Sequence, residues 1–382
     1  MLEFVLKYFH RKVVSDSHNT GTNSTGNRRW RLWQVEPSIT CNLKCVMCPW
    51  DDARKNVTNK GYMSEEIWES LRPHLGDVQF IDFTGGGEPL LQKHLLSWIT
   101  QAKGANCNVG FLSNGLLLNP ILSKKIIDSG IDWIGFSIDG ADQATYEFIR
   151  QGSDFDKLCL NIKNFTDQRT NKHPLVMINF VIMTLNYHQL SGIINLAKRL
   201  GADQVNFKQC DVIRGEHGKN LGLFGAEESK QIKRLQKELN KASRLARKLD
   251  IKTSSFSFVP KEQPVCDQDP RDSLFISYDG TGSPCINMAI GGASTFLNKD
   301  VIFPHISYGN IPHDGILDLW DSEHCRGYRS SFEQRVTAYD NSLASADLGH
   351  DIIKLKEALR AAAKAMPEAR EGCSTCHYLY GI

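Results

Sequence analysis

Short apolar, β-branched or aromatic runs alternate along this chain with segments of helical period. The runs are "LWQVEPSI", "VQFIDFT", "NVGFLS", "WIGFSI", "LVMINFVIM" and "QVNFK". Helical patterns lie between them, such as "SEEIWESLRPHL", "QKHLLSWITQAKG", "PILSKKIIDSG", "FDKLCLNIKNFTDQR" and "YHQLSGIINLAKRLG". Ser64 stands as N-cap of the first, with Glu65 and Glu66 in its first turn, where the helix dipole favours acids. Gly104, Gly130 and Gly201 stand where glycine C-terminal caps belong. Six strands alternating with helices predict right-handed βαβ units and a parallel sheet, open or rolled into a partial barrel. In either form the ligand site belongs at the carboxyl ends of the strands.

The pattern changes after about residue 215. A long charged helix, "AEESKQIKRLQKELNKASRLARKLD", leads into a turn-rich, cysteine-bearing region from 260 onward. Residues 336–366 read as helical, with Ile352, Ile353, Leu355 and Leu359 on one side before Pro367 stops the run. At the other end, "MLEFVLKYFHRKVV" reads as a docking helix, a frayed end or an amphipathic surface helix, and residues 15–29 as a Ser/Thr/Asn/Gly-rich linker. The expected division is an N-terminal segment and linker over 1–29, a barrel over 30–215, a linking helix region over 216–259 and a smaller C-terminal domain over 260–382.

Composition narrows the partners. At 382 residues and 41% hydrophobic, the chain can bury more than one core. A formal charge of +2, from 45 basic and 43 acidic residues, gives no field that selects nucleic acid or anionic membrane as the main partner. Lys7 interrupts the N-terminal apolar run and no cleavage site follows, so a signal peptide is not expected; no run approaches the roughly 18 apolar residues of a membrane span. Eleven cysteines without an export signal point to reduced thiols and metal in a cytoplasmic setting, not to a disulfide framework.

Three of those cysteines, Cys41, Cys45 and Cys48, follow directly on the first strand in "CNLKCVMCPW". Structural zinc normally takes four protein ligands, and no further histidine or cysteine lies close by to complete the set. A cubane iron-sulfur cluster with three protein ligands leaves one iron open for substrate or cofactor.

In this motif the sequence resembles the radical S-adenosylmethionine (SAM) superfamily, with its CxxxCxxC signature; Met47 stands before the last cysteine, where aromatics are common. "TGGGEP" follows one strand later, and the resemblance places Gly86, Gly87, Glu88 and Pro89 against the methionyl amino group of SAM. In "GFSIDG" it assigns Ser137 and Asp139 to the ribose, and in "YEFIRQG" it assigns Arg150 to the SAM carboxylate, a partner that suits a guanidinium fork. Ser113 and Asn114 of "LSNG" match the family's TNG segment less specifically. The resemblance covers roughly residues 30–215 and implies a partial (β/α)6 TIM-type barrel. It further implies an external low-potential electron donor and a [4Fe-4S] cluster that cleaves SAM to methionine and a 5'-deoxyadenosyl radical, which abstracts a substrate hydrogen atom.

The C-terminal region adds Cys266, Cys285, Cys325, Cys373 and Cys376. "FISYDGTGSPC" reads as a hairpin that returns Cys285 toward Cys266. The spacing from Gly280 to Cys285, followed by CxxC at Cys373 and Cys376, resembles the auxiliary-cluster domains called SPASM and Twitch. A full two-cluster SPASM needs more cysteines, so Cys266, Cys285, Cys373 and Cys376 suit one auxiliary [4Fe-4S] cluster, with a helical insertion before the last two; the same four could hold a structural zinc. Cys107, Cys159 and Cys325 read as bystanders.

Just past the sixth strand, Cys210 reads as a buried thiol or as a hydrogen-atom or proton donor, and on the loop that follows Arg214, Glu216 and His217 are the candidates for contact with substrate. Ile286 follows Cys285 where sulfatase-maturing relatives carry an acid, which argues against that activity. The expectation is oxidation or another radical modification of a small natural-product, sugar or cofactor precursor, with crosslinking or epimerisation of a ribosomal peptide as the alternative. A noncatalytic zinc-binding protein would not explain the glycine-rich and SIDG segments at the strand ends.

Overall fold

The computed structural model describes residues 28–382 apart from 56, 211, 213, 215–217, 219, 224–227, 255–258, 298 and 347–351. The expected N-terminal helix and nearly all of the linker therefore lie outside the described residues, as do Glu216 and His217.

All six anticipated strands form: β1 (Trp30–Val35), β2 (Val78–Asp82), β3 (Asn108–Ser113), β4 (Trp133–Ser137), β5 (Leu175–Ile182) and β6 (Gln204–Gln209). They pair in parallel in chain order. Their near-continuous burial is what a sheet covered on both faces demands. Val176, Ile178, Phe180 and Ile182 of β5 join the large core, while Leu175 and Met177 join Trp133 and Leu112 in a separate cluster. Trp133 lies so close over Gly110 that a Cβ there would stand 2.1 Å from the indole. The resulting plug leaves the strands' carboxyl ends to form the cavity.

Helices follow the strands. Ser64 caps α1 (Glu65–Leu71) by accepting the Ile67 N–H, and Asn119, Asp142 and Asp154 cap α3 (Pro120–Asp128), α4 (Gln143–Ile149) and α5 (Phe155–Asp167) in the same way. Gly201 closes α6 (Leu190–Leu200) in the left-handed conformation. Gly104 does not cap α2 (Leu95–Gly104): it is the last helical residue, and Asn106 takes the positive φ instead. Buried indoles reinforce this side, with Trp68 and Trp98 stacked at 5.1 Å.

The sheet continues past the barrel. β7 (Lys252–Ser254), after the long α7 (Glu228–Lys248), adds parallel to β6, and β8 (Ser273–Ile276) adds parallel to β1. The anticipated hairpin exists as β8 with β9 (Thr281–Ser283), so the cysteine-rich region is grafted onto the barrel sheet at the β1 edge. A short helix α8 (Ile286–Ile290), a two-stranded ribbon of β10 (Gly292–Phe296) and β11 (Lys299–Phe303), β12 (Gly309–Asn310) and a short α9 (Ile316–Asp321) follow. Where one helix was expected over 336–366 there are two, α10 (Glu323–Ala344) and α11 (Ile352–Ala365), the first starting well before the anticipated boundary on the Ser322 cap. Among the described residues no helix is long and apolar enough to cross a membrane.

Candidate active site at the barrel mouth

Cys41, Cys45 and Cys48 stand on the loop leaving β1, and all three line one cavity of about 400 Å³. Two local links hold the loop: Lys44–Cys45 pairs antiparallel with Arg150–Gln151, and the Cys48 N–H donates to the Cys45 carbonyl at 3.0 Å. The Arg150 Nη1 lies 3.9 Å from Cys45 Sγ, and the Asn114 Nδ2 lies 4.0 Å from Cys41 Sγ. Burial pushes the Cys45 thiol up to about 11 and raises Cys41. Buried thiols of this kind release their protons when cationic iron arrives, which suits them as ligands.

The glycine-rich loop packs directly on this segment. A Cβ at Gly87 would stand 2.4 Å from the carbonyl oxygens of Ser38 and Thr40, and one at Gly85 would stand 2.3 Å from the Glu36 side chain. Glu88 is buried as a hub: it accepts the Ser113 hydroxyl at 2.7 Å, the Asn114 N–H at 2.8 Å and the Leu90 N–H at 3.1 Å. Pro89 then opens a short turn over Pro89–Leu91. Asn114 extends the network to Asn42 Oδ1 at 2.8 Å. Gly86, Gly87, Glu88, Ser113, Asn114, Ser137 and Arg150 thus all border the cavity that the cysteines line. Met47 borders it too, in an apolar cluster with Ile149, Met183 and Cys210.

Asp139 departs from its expected role. Its carboxylate is fully buried, with one oxygen on Arg150 Nη2 at 2.6 Å and Nε at 2.7 Å and the other accepting the Val181 N–H at 2.7 Å. Both oxygens are spent inside the protein. Asp139 fixes the guanidinium fork and is not among the residues that border the cavity.

Two buried acids escaped the sequence reading. Glu36 accepts the Gly86 N–H at 2.5 Å and the Tyr278 N–H at 3.3 Å; burial pushes its carboxyl up to about 7, against the pull of those bonds. Arg54 braces the same loop, donating to the carbonyls of Ile39 and Gly86. Asp82 ends β2 on the cavity wall with Gln34, Thr84 and Lys208. Among the described residues its carboxylate has one hydrogen-bond partner, the Thr84 hydroxyl at 2.5 Å, and burial raises it to about 7. A lone acid inside an otherwise apolar strand run, as in "WQVEP" and "QFIDF", is the signal that would have found both.

Cys266, Cys285, Cys373 and Cys376 line this same cavity from the C-terminal side. They come from three segments: the loop before β8, the start of α8, and the turn Cys373–Thr375 with Cys376 after it. Burial pushes Cys266 up to about 12, and burial together with the other three thiols raises Cys373. Among the described residues no two cysteines are joined in a disulfide. Among the described residues no group of three His, Cys, Asp or Glu side chains converges closely enough to hold a single ion. Cys107 donates to the Leu75 carbonyl in the core and Cys325 is buried in α10; neither borders the cavity, and neither does Cys159.

Of the loop after β6, Cys210 borders the cavity. Arg214 turns toward the C-terminal region, where it donates to the carbonyls of Gly291 and, at 3.4 Å, Asn287.

The Radical SAM superfamily matches this chain over residues 35–197, and an iron-sulfur cluster-binding domain, SPASM, over residues 266–342. The tungsten-containing aldehyde ferredoxin oxidoreductase cofactor-modifying protein of Pyrococcus furiosus is 24% identical over 77% of this chain and 82% of its own length. A probable GTP 3',8-cyclase of Methanococcus maripaludis is 28% identical over 46% of this chain, which spans 58% of that relative. Among solved structures, Streptococcus suis SuiB bound to S-adenosylmethionine superposes with a TM-score of 0.57 at 15% identity, covering 84% of this chain and 71% of SuiB. Native anSMEcpe with bound AdoMet gives 0.56 at 16% identity over 79% and 83%.

Proposed function

Since the chain belongs to the radical SAM superfamily and carries a SPASM iron-sulfur domain, we propose that it oxidises a small polar natural-product, sugar or cofactor precursor held between two cluster sites. The carrying observation is that Cys41, Cys45 and Cys48 and the set Cys266, Cys285, Cys373 and Cys376 border one cavity of about 400 Å³. The relative named as a cofactor-modifying protein supports the same substrate class. Peptide modification is the alternative reading.

When bound, the clusters and SAM would supply one-electron chemistry, hydrogen-atom abstraction and an electron acceptor, at this cavity. The chain's own residues do the rest. Cys41, Cys45 and Cys48 would hold the first cluster, and Gly86 and Gly87, shaped by the Glu88 hub, would receive the SAM amino end, while Pro89, expected to join them, lies buried off the cavity wall. Arg150, held by Asp139, presents its remaining N–H groups to the carboxylate, and Ser137 offers a hydroxyl to the ribose. Asp82, whose carboxyl burial places near neutrality, is the group positioned to take the proton that a substrate loses on two-electron oxidation. Trp133 and Leu112 close the barrel beneath.

The test is anaerobic 5'-deoxyadenosine formation by reconstituted enzyme, with a polar metabolite fraction under about 1 kDa or a peptide fraction added. Stimulation by the metabolite fraction, with a product two hydrogens lighter, is expected. Stimulation by peptides alone would transfer the assignment to the alternative.

A further inference from the structure

Arg214 connects the two cysteine sites through their protein walls. Its guanidinium carbon lies 5.1 Å from the centroid of Trp50, two residues past Cys48, and 6.0 Å from that of Phe303. Trp50 in turn packs on the glycine-rich loop, 3.2 Å from where a Gly86 Cβ would stand. Phe303 belongs to the apolar cluster of Met288 and Cys376 that Cys285 and Cys373 pack against. The hydrogen bonds of Arg214 go to the carbonyls of Asn287 and Gly291, in and just beyond the helix that Cys285 caps. Carbonyls at a helix C-terminus carry partial negative charge, so the cation is well seated there. Burial lowers the guanidinium only to about 10, so it stays charged at neutral pH. Its Nε is buried without a hydrogen-bond partner among the described residues.

We propose that Arg214 is a positioning residue for the auxiliary cluster, locking the Cys285 helix to the Trp50 loop and fixing a cation beside Cys285 that favours the cluster's one-electron-reduced form. A four-thiolate cluster becomes more negative on reduction, so an adjacent fixed cation stabilises the reduced state, and more strongly where water is excluded. The role makes the auxiliary site a better electron acceptor for the cavity it borders. It rests on the reading that Cys266, Cys285, Cys373 and Cys376 hold that cluster.

The test is a dithionite titration with redox mediators, followed by electron paramagnetic resonance, on reconstituted wild type, R214M and R214K. In R214M the equilibrium constant for reducing the auxiliary cluster should fall about tenfold, equal to about 59 mV for one electron. The first cluster's signal should stay in place as an internal reference. R214K, which keeps the charge without the stacked fork, should shift by less than about threefold, close to 30 mV for one electron. Circular dichroism and iron content check folding, and the neutral, polar R214Q replaces R214M if the latter does not load. An unchanged constant in a fully loaded neutral variant, or equal shifts in R214K and R214M, overturns the assignment. The ligand reading fails separately if the C285A, C373A double variant keeps the second cluster's signal.

Discussion

The Glu36 carboxylate accepts the Gly86 N–H at 2.5 Å through one oxygen and the Tyr278 N–H at 3.3 Å through the other. One fully buried acid therefore ties the glycine-rich loop to the β8–β9 hairpin that leads to Cys285. Glu36→Ala should leave two buried N–H donors unmatched, at a cost of about 3 kcal/mol. A fall in unfolding free energy well under 1 kcal/mol in a urea melt would contradict that.

Glu36 also carries a pH signature. Burial raises its folded-state value from 4.5 to about 7, so the folded protein binds the proton more tightly than the unfolded chain. This contribution is fully present below 4.5 and is lost as pH rises to about 7. Wild type should lose stability across that interval, by up to roughly 3 kcal/mol from this group. Glu36→Gln, neutral throughout, should flatten that part of the profile while keeping an acceptor for Gly86. Parallel thermal melts of the two proteins at pH 5 and 8 provide the comparison.

The two cysteine sets should separate in loading. Wild type reconstituted without oxygen should hold about eight iron and eight sulfide per chain. Replacing Cys373 and Cys376 with alanine should remove about four of each and leave SAM cleavage by the first site intact. Replacing Cys41, Cys45 and Cys48 should abolish cleavage and spare the auxiliary iron. Retained cleavage in that triple variant would refute the site assignment.

Asp139 and Arg150 form a buried pair with contacts at 2.6 and 2.7 Å. Asp139→Ala strands a guanidinium beside Cys45 and frees the Val181 N–H, and breaking such a pair costs about 3–5 kcal/mol. Asp139→Asn keeps one acceptor and should fold, yet weaken SAM binding, because the guanidinium fork proposed to meet the SAM carboxylate loses its anchor. Equilibrium dialysis with labelled SAM reads this directly; unchanged binding in D139N would show that Arg150 needs no such anchor.

The strands were legible because a parallel sheet buried on both faces requires continuous apolar runs, and "LVMINFVIM" can satisfy little else. The candidate ligands Cys41, Cys45 and Cys48 were legible because their spacing is local, whereas Cys266, Cys285, Cys373 and Cys376 are spread over three segments. What escaped depends on distant partners. A carboxylate at a strand end looks available for a ribose until Arg150, eleven residues later, folds back onto it. Glu36 meets Tyr278 across 242 positions, and no local pattern announces that pairing. Arg214 lies on a loop whose charged character suggested substrate contact, whereas its partners Asn287 and Gly291 belong to the C-terminal region. Gly104 shows the local version of this limit, since Asn106 supplied the left-handed turn two residues later.

Asp82 allows the oxidation reading to be tested apart from radical generation. It lies on the cavity wall, held through the Thr84 hydroxyl at 2.5 Å, whose oxygen in turn accepts the Leu112 N–H at 3.0 Å. The carboxylate is thus oriented without contacting any candidate cluster ligand. Asp82→Asn keeps the size and an acceptor for Thr84 but cannot take a proton. Slow SAM cleavage in the absence of substrate should therefore match wild type, while substrate-coupled product formation falls about 10²–10⁴-fold. The wild-type coupled rate should rise with pH through about 7, as the buried carboxyl ionises, and the residual D82N rate should not. Equal losses of coupled and uncoupled cleavage would make Asp82 a structural support of the barrel, and the proton acceptor would have to be sought elsewhere on the cavity wall.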